Sequence, residues 1–167
     1  MKKAFTLIEV VIILFVMAMG VITALSLTLR SAYFQKNQVD LLTASFLAQE
    51  GVEILVNIRD TNAINNRDYN DWTGNGAATA PYSSRYRLDI YHLIAEEVTH
   101  DDQTILKEDY MGFFFHDNYY SSSKFKRIVK IIDTVDDFSY AQVIVQWEQQ
   151  GEVYEYILET ILYDLSF

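Results

Sequence analysis

Residues 10–29 run for twenty positions without a charged side chain, beginning at Val10 and ending at Leu29. At about 1.5 Å per residue a helix of this length is roughly 30 Å long, the thickness of a bilayer's hydrocarbon core. The run is too long for an ordinary secretory signal, and no Ala-x-Ala site closes it. Lys2 and Lys3 precede it and few positive charges follow soon after, which predicts a cytoplasmic N-terminus and an exported C-terminal part. Gly20, with Thr23, Ser26 and Thr28 nearby, is the easiest place for such a helix to bend or locally melt.

From residue 30 to about residue 59 the pattern becomes amphipathic. Val39, Leu42, Phe46, Leu47, Ile54, Leu55 and Ile58 recur at helical spacing, and Gln35, Lys36, Gln38, Asp40, Gln49, Glu50 and Glu53 mark polar positions. Read continuously, residues 5–59 make one helix whose first half dissolves in lipid and whose second half lies on a domain. Gly51 is a weak point worth about 1 kcal/mol relative to alanine.

Residues 60–86 read as a polar loop punctuated by Gly74, Gly76 and Pro81. The C-terminal half reads as strands over residues 86–91, 110–115, 125–133, 140–147 and 153–162. The last two flank Glu148-Gln149-Gln150-Gly151-Glu152, a hairpin connection. On the final strand Val153, Glu155, Ile157, Glu159 and Ile161 share one face, and Tyr154, Tyr156, Leu158, Thr160 and Leu162 share the other. The second set is the more apolar and is placed against the helix. The pattern predicts an α+β fold, a long N-terminal helix on an antiparallel sheet of about four strands.

Composition narrows the chemistry. The formal charge is −10, and removing Lys2, Lys3 and Glu9 leaves 11 basic and 22 acidic residues over 10–167. A head this acidic repels nucleic acid and anionic lipid, so bulk electrostatic DNA binding is not expected. With no cysteine there is no disulfide, thiolate nucleophile or cysteine metal site, and twelve Tyr and ten Phe must supply the packing.

Candidate sites in the head are weak. The Asp/Asn-rich stretch from Asp60 to Asp71 does not fit an EF-hand, because no Gly follows Asn66, Asp68 and Asn70 at the right place and Ala77 stands where a bidentate Glu belongs. It reads as a solvated loop. His92, His100 and His116 share no metal spacing, and Glu96-Glu97 and Asp136-Asp137 read as solvated pairs. Ser121, Ser122 and Ser123 lack a nucleophile-elbow context, and no phosphate-binding glycine loop occurs. Neither catalysis, a cofactor nor a metal is therefore expected. Lys124, Lys126, Arg127 and Lys130 form the only basic cluster, a solvated sheet face or a patch for a neighbouring acidic head.

The extreme N-terminus carries the strongest signal. Lys2-Lys3, the small residue Ala4 and Phe5-Thr6-Leu7-Ile8-Glu9-Val10 stand directly before the apolar run, and a carboxylate at the start of such a run is costly. This string resembles the class III signal of type IV prepilins and type II secretion pseudopilins, although that family usually has Gly where this chain has Ala4. Residues 47–60, with Leu47-Ala48-Gln49-Glu50-Gly51-Val52-Glu53 and Asn57-Ile58-Arg59-Asp60, also look like minor pilins and pseudopilins. The resemblance implies cleavage between Ala4 and Phe5 by a prepilin peptidase, N-methylation of Phe5, and pairing of Glu9 with the Phe5 amine of a neighbouring subunit. It further implies the pilin fold, divided into a leader (1–4), a membrane and filament-core helix (5–29), its amphipathic continuation (30–59) and an exported head (60–167). The implied function is structural. It is that of a minor pilin or pseudopilin held in the inner membrane and then built into a pilus or pseudopilus, with an assembly platform and a separate ATPase as partners. Alternatives are a major pilin, or an adhesin or DNA-uptake subunit that binds through residues 60–86 and an exposed Trp72.

Overall fold

The computed structural model describes residues 6–74, 85–89, 93–116, 121–133 and 138–165. The chain divides into two compact units, residues up to Leu41 and residues from Leu42 onward. Helix α1 spans Leu7–Ile64. No proline interrupts it, since the single proline is Pro81. Gly20 does not break it either.

The helix runs beyond the expected end at residue 59 because its stop signal lies further on. Asn66 takes a left-handed backbone with φ of 53°. The Arg67 N–H then donates to the Asn62 carbonyl at 2.9 Å, and the Asn66 N–H donates to the Ala63 carbonyl at 3.2 Å. This pair of bonds is a Schellman closure, with asparagine in the place glycine usually takes.

In the second unit, residues 42–64 of α1 pack on an antiparallel sheet, so the α+β expectation holds. The strands are β1 (Arg85–Asp89), β2 (Ile94–Glu97), β3 (Ile105–Glu108), β4 (Phe114–Phe115), β5 (Ser121–Asp133), β6 (Phe138–Gln149) and β7 (Glu152–Tyr163). The sheet thus has seven strands among the described residues, not about four. The excess arises on one side of β5. Its Ser121–Lys126 portion pairs with β3, and its Val129–Lys130 portion pairs with β1. Two short strands therefore share the edge of one long strand, and β2 and β4 extend them outward. On its other side β5 pairs with β6, and β6 with β7, in unbroken register.

Of the strand expected at 110–115 only Phe114–Phe115 pairs. Ahead of it the Asp109 carboxylate accepts the Met111 and Phe113 N–H groups, each at 2.8 Å, and Gly112 has φ of 85°. That turn leaves Tyr110, Met111 and Phe113 exposed.

The β6–β7 connection is the expected hairpin. Gln149 faces Glu152, and the two turn residues Gln150 and Gly151 have φ of 54° and 81°. Positive φ at both positions defines the type I′ turn, whose twist matches that of the strands. On β7 the face expected toward the helix is the more buried one, with Leu162 1% exposed. The core joins Ala44, Leu47, Ala48, Leu55 and Ile58 of α1 to Val129, Ala141, Val143, Val145 and Leu162 of the sheet.

Small residues let helix and sheet approach closely at Gly51. A Cβ at that position would stand 2.7 Å from Val143 Cγ1 and 3.4 Å from Arg127 Cδ. Beneath this contact lies Arg127, 2% exposed. Its Nη1 donates to the Leu47 carbonyl at 3.2 Å and pairs with Glu50 Oε2 at 3.2 Å. Burial pulls the guanidinium pKa down, and Glu50 opposes that shift. Arg127 therefore belongs to the helix–sheet seam and not to the basic surface cluster.

Candidate functional site at the start of the apolar helix

The N-terminal end of α1 is built on Thr6. Its carbonyl accepts from the Glu9 and Val10 N–H groups at 3.1 and 3.2 Å, and its Oγ1 lies 3.4 Å from the Glu9 nitrogen. Thr6 is thus the N-cap and Glu9 the third helical residue. The Thr-x-x-Glu spacing of the capping box was present in the sequence and is the signal for this local role. A carboxylate in the first turn also faces the positive end of the helix dipole. Glu9 is exposed, and no side chain among the described residues pairs with its carboxylate. Lys2, Lys3, Ala4 and Phe5 lie outside the described residues.

The segment that follows is apolar on every side. Val10, Ile13, Phe15, Met17, Val21, Leu25 and Leu29 all stand exposed, and the most apolar window of α1 has 0% of its residues buried. Its hydroxyls are satisfied within the helix. Thr23 Oγ1 donates to the Met19 carbonyl at 2.8 Å, Ser26 Oγ to Ile22 at 2.9 Å, and Thr28 Oγ1 to Ala24 at 3.0 Å. This back-bonding removes the cost of placing these groups in hydrocarbon. By length and composition the helix can cross a membrane.

The head replaces several sequence expectations. Trp72, expected at the surface of a binding loop, is fully buried, and so is Asp71. Asn62 Nδ2 donates to the Asp71 carbonyl at 3.0 Å, and the Ala95 N–H donates to the Trp72 carbonyl at 2.7 Å. Residues 60–74 are therefore a helix end plus a turn fastened to β2, not a solvated loop. Gly76, Ala77 and Pro81 lie outside the described residues, as do His92 and Asp136-Asp137. No group of three or more potential metal ligands occurs among the described residues.

The acidic and histidine candidates resolve into local structure. Arg87 pairs with Glu96, and Arg85 reaches Asp101 at 2.8 Å. Gln103 Oε1 accepts the backbone N–H of Thr99 at 2.9 Å and of His100 at 3.2 Å, closing the turn before β3. His116 packs inward, with Nδ1 placed 3.2 Å from the Leu88 carbonyl. Burial and the nearby Arg127 lower its pKa to about 4, against the pull of its backbone partners. An open cleft of about 740 Å³ lies beside Asp60, Arg67, Asp68 and Asp164, and among the described residues its walls hold no histidine or serine. No protein family, no curated protein and no solved structure matches this chain.

Proposed function

We propose that the chain is a structural subunit of a membrane-derived filament, of the type IV pilin or pseudopilin kind, and a minor subunit within it. The observation that carries the reading is the single helix Leu7–Ile64. It holds Glu9 in its first turn, continues through a membrane-length apolar segment, and ends packed on an antiparallel sheet. A simple anchor requires the apolar segment but not a carboxylate at its start.

In this reading a prepilin peptidase cuts between Ala4 and Phe5, and Phe5 is N-methylated. The subunit waits in the inner membrane with its N-terminus cytoplasmic and its head exported. Glu9 of an incoming subunit then neutralises the Phe5 amine of a subunit already in the filament. In low dielectric that attraction is strong and a charge left unpaired is costly, so the pair sets axial register. Packing of residues 10–29 against like helices replaces lipid contacts, and an ATPase of the assembly platform drives extraction.

Mass spectrometry of the mature N-terminus tests the processing step. A chain that begins at methylated Phe5 supports the reading, and an intact Met1 on filament-free protein overturns it. Glu9→Ala tests the assembly step. The variant should still reach the membrane but be lost from filaments. Unchanged filament incorporation would instead leave α1 as a plain tether.

A further inference from the structure

The sheet face that turns away from α1 carries a charge pattern that complements itself. The unbroken register of β5, β6 and β7 sets its residues in rows. Lys126, Gln146 and Glu155 form one row, and Lys130, Gln142 and Glu159 form another. Between them lies Ile128, Ile144 and Ile157, and beyond them Ile132, Tyr140 and Ile161. Lysines thus occupy the β5 column and glutamates the β7 column, with β6 midway. On this face Ile132, Ile157, Ile161 and Tyr163 remain 43–58% exposed, whereas Ile128 and Ile144 are already covered by their neighbours.

The charges are positioned differently on the two columns. Gln142 Nε2 donates to Glu159 Oε1 at 2.7 Å, and Gln146 Nε2 lies 3.4 Å from Glu155 Oε2. Tyr140 also hydrogen-bonds Glu159, which with Gln142 holds that carboxyl below its usual range. Both carboxylates are thus oriented by glutamine side chains of β6. Among the described residues, neither Lys126 nor Lys130 forms an ion pair with a carboxylate of its own chain.

We infer that this face is the interface of a two-fold homodimer in which the β5–β6–β7 faces of two copies stack, with the dyad running along β6. A two-fold axis in that direction exchanges the β5 and β7 columns and keeps every row in place. Lys126 then meets Glu155 of the second copy, Lys130 meets Glu159, and the exposed Ile161 meets Ile132. A dyad across the strands would put lysine on lysine. Edge-to-edge pairing of two β7 strands about Ile157 would put Glu155 opposite Glu159, again like on like. Only the face-to-face arrangement along β6 is complementary. Strands of twelve residues span about 40 Å and three strands with their flanks about 15 Å, so each copy buries on the order of 600 Å². The total is at the lower bound of specific interfaces, which suits a reversible dimer. This inference does not depend on the chain entering a filament.

The test uses the full chain in non-ionic micelles, with mass measured by light scattering and folding by circular dichroism. The variants are K126E/K130E and E155K/E159K. Each should self-associate at least tenfold more weakly than the parent, because all the facing charges become alike. A one-to-one mixture should associate again, since the introduced acids of one variant face the introduced bases of the other. The inference is overturned if the parent is monomeric, if either folded variant associates like the parent, or if the mixture stays monomeric. A second measurement covers failure to fold. The chain has no cysteine, so Gln146→Cys places one thiol beside the dyad. A short bis-maleimide should link that variant to itself in membranes while leaving Glu53→Cys unlinked, and equal linking or none overturns the inference.

Discussion

At Gly51 helix propensity and packing pull in opposite directions. Replacing glycine by alanine inside a helix gains about 1 kcal/mol from backbone entropy. Here the new methyl would stand 2.7 Å from Val143 Cγ1, on the floor of the core. Overpacking of a well-filled core costs about 1–3 kcal/mol. Gly51→Ala is therefore predicted to destabilise the head by up to about 2 kcal/mol net, measured by chemical denaturation, whereas propensity alone predicts stabilisation. His116 gives a second prediction. Its folded pKa of about 4 lies below its ordinary value of 6.5, so protons bind the unfolded chain more readily between those values. The neutral ring's contribution is complete above pH 6.5 and is lost as pH falls toward 4. At pH 5.5 the loss is about 1 kcal/mol relative to pH 7, and His116→Asn should flatten the stability profile over that interval. Neither residue announced its role in sequence. Gly51 read as a weak point and His116 as one of three scattered histidines, because the atoms that constrain them come from distant strands.

At the scale of elements, the strongest patterns were legible and the weakest were not. The apolar run, the amphipathic continuation, the face of β7 and the hairpin before it all follow from period and turn chemistry. The end of α1 was misplaced because a cluster of Asp and Asn resembles a loop, whereas Asn66 is the residue that terminates the helix. Strands β2 and β3 escaped because four residues are too few to display a period. Their pairing along β5 is what forms them. The β6–β7 turn can be tested directly. Asparagine adopts positive φ more readily than glutamine, so Gln150→Asn should stabilise the head by about 0.5 kcal/mol. Gly151→Val, at φ of 81°, should cost about 1 kcal/mol or more. Thermal unfolding of the two variants reads both signs.

At the scale of the molecule, α1 is by length and composition able to cross a membrane. Two arginines introduced by I13R/V16R would add roughly 5–7 kcal/mol to membrane insertion. The parent is predicted to remain with membranes after alkaline extraction, and the double variant to be released. The head beyond it is acidic and built without disulfides, so its stability rests on the seam between α1 and the sheet. Burial of Trp72 and Arg127 in that head removes two residues from the surface available to partners and leaves the β5–β7 outer face as the patterned one.

The sequence by itself determined the membrane-length helix, the charge at its start, the α+β class and the inward face of the last strand. Each of these is a local or periodic property, readable from neighbours along the chain. Tertiary structure alone decided that Gly51 is a contact point, that Arg127 is buried against Glu50 and that Trp72 belongs to the core. It also decided that seven strands form among the described residues and that lysines and glutamates align in rows. These depend on which strands lie side by side and in what register, a choice made by packing between residues far apart in the chain.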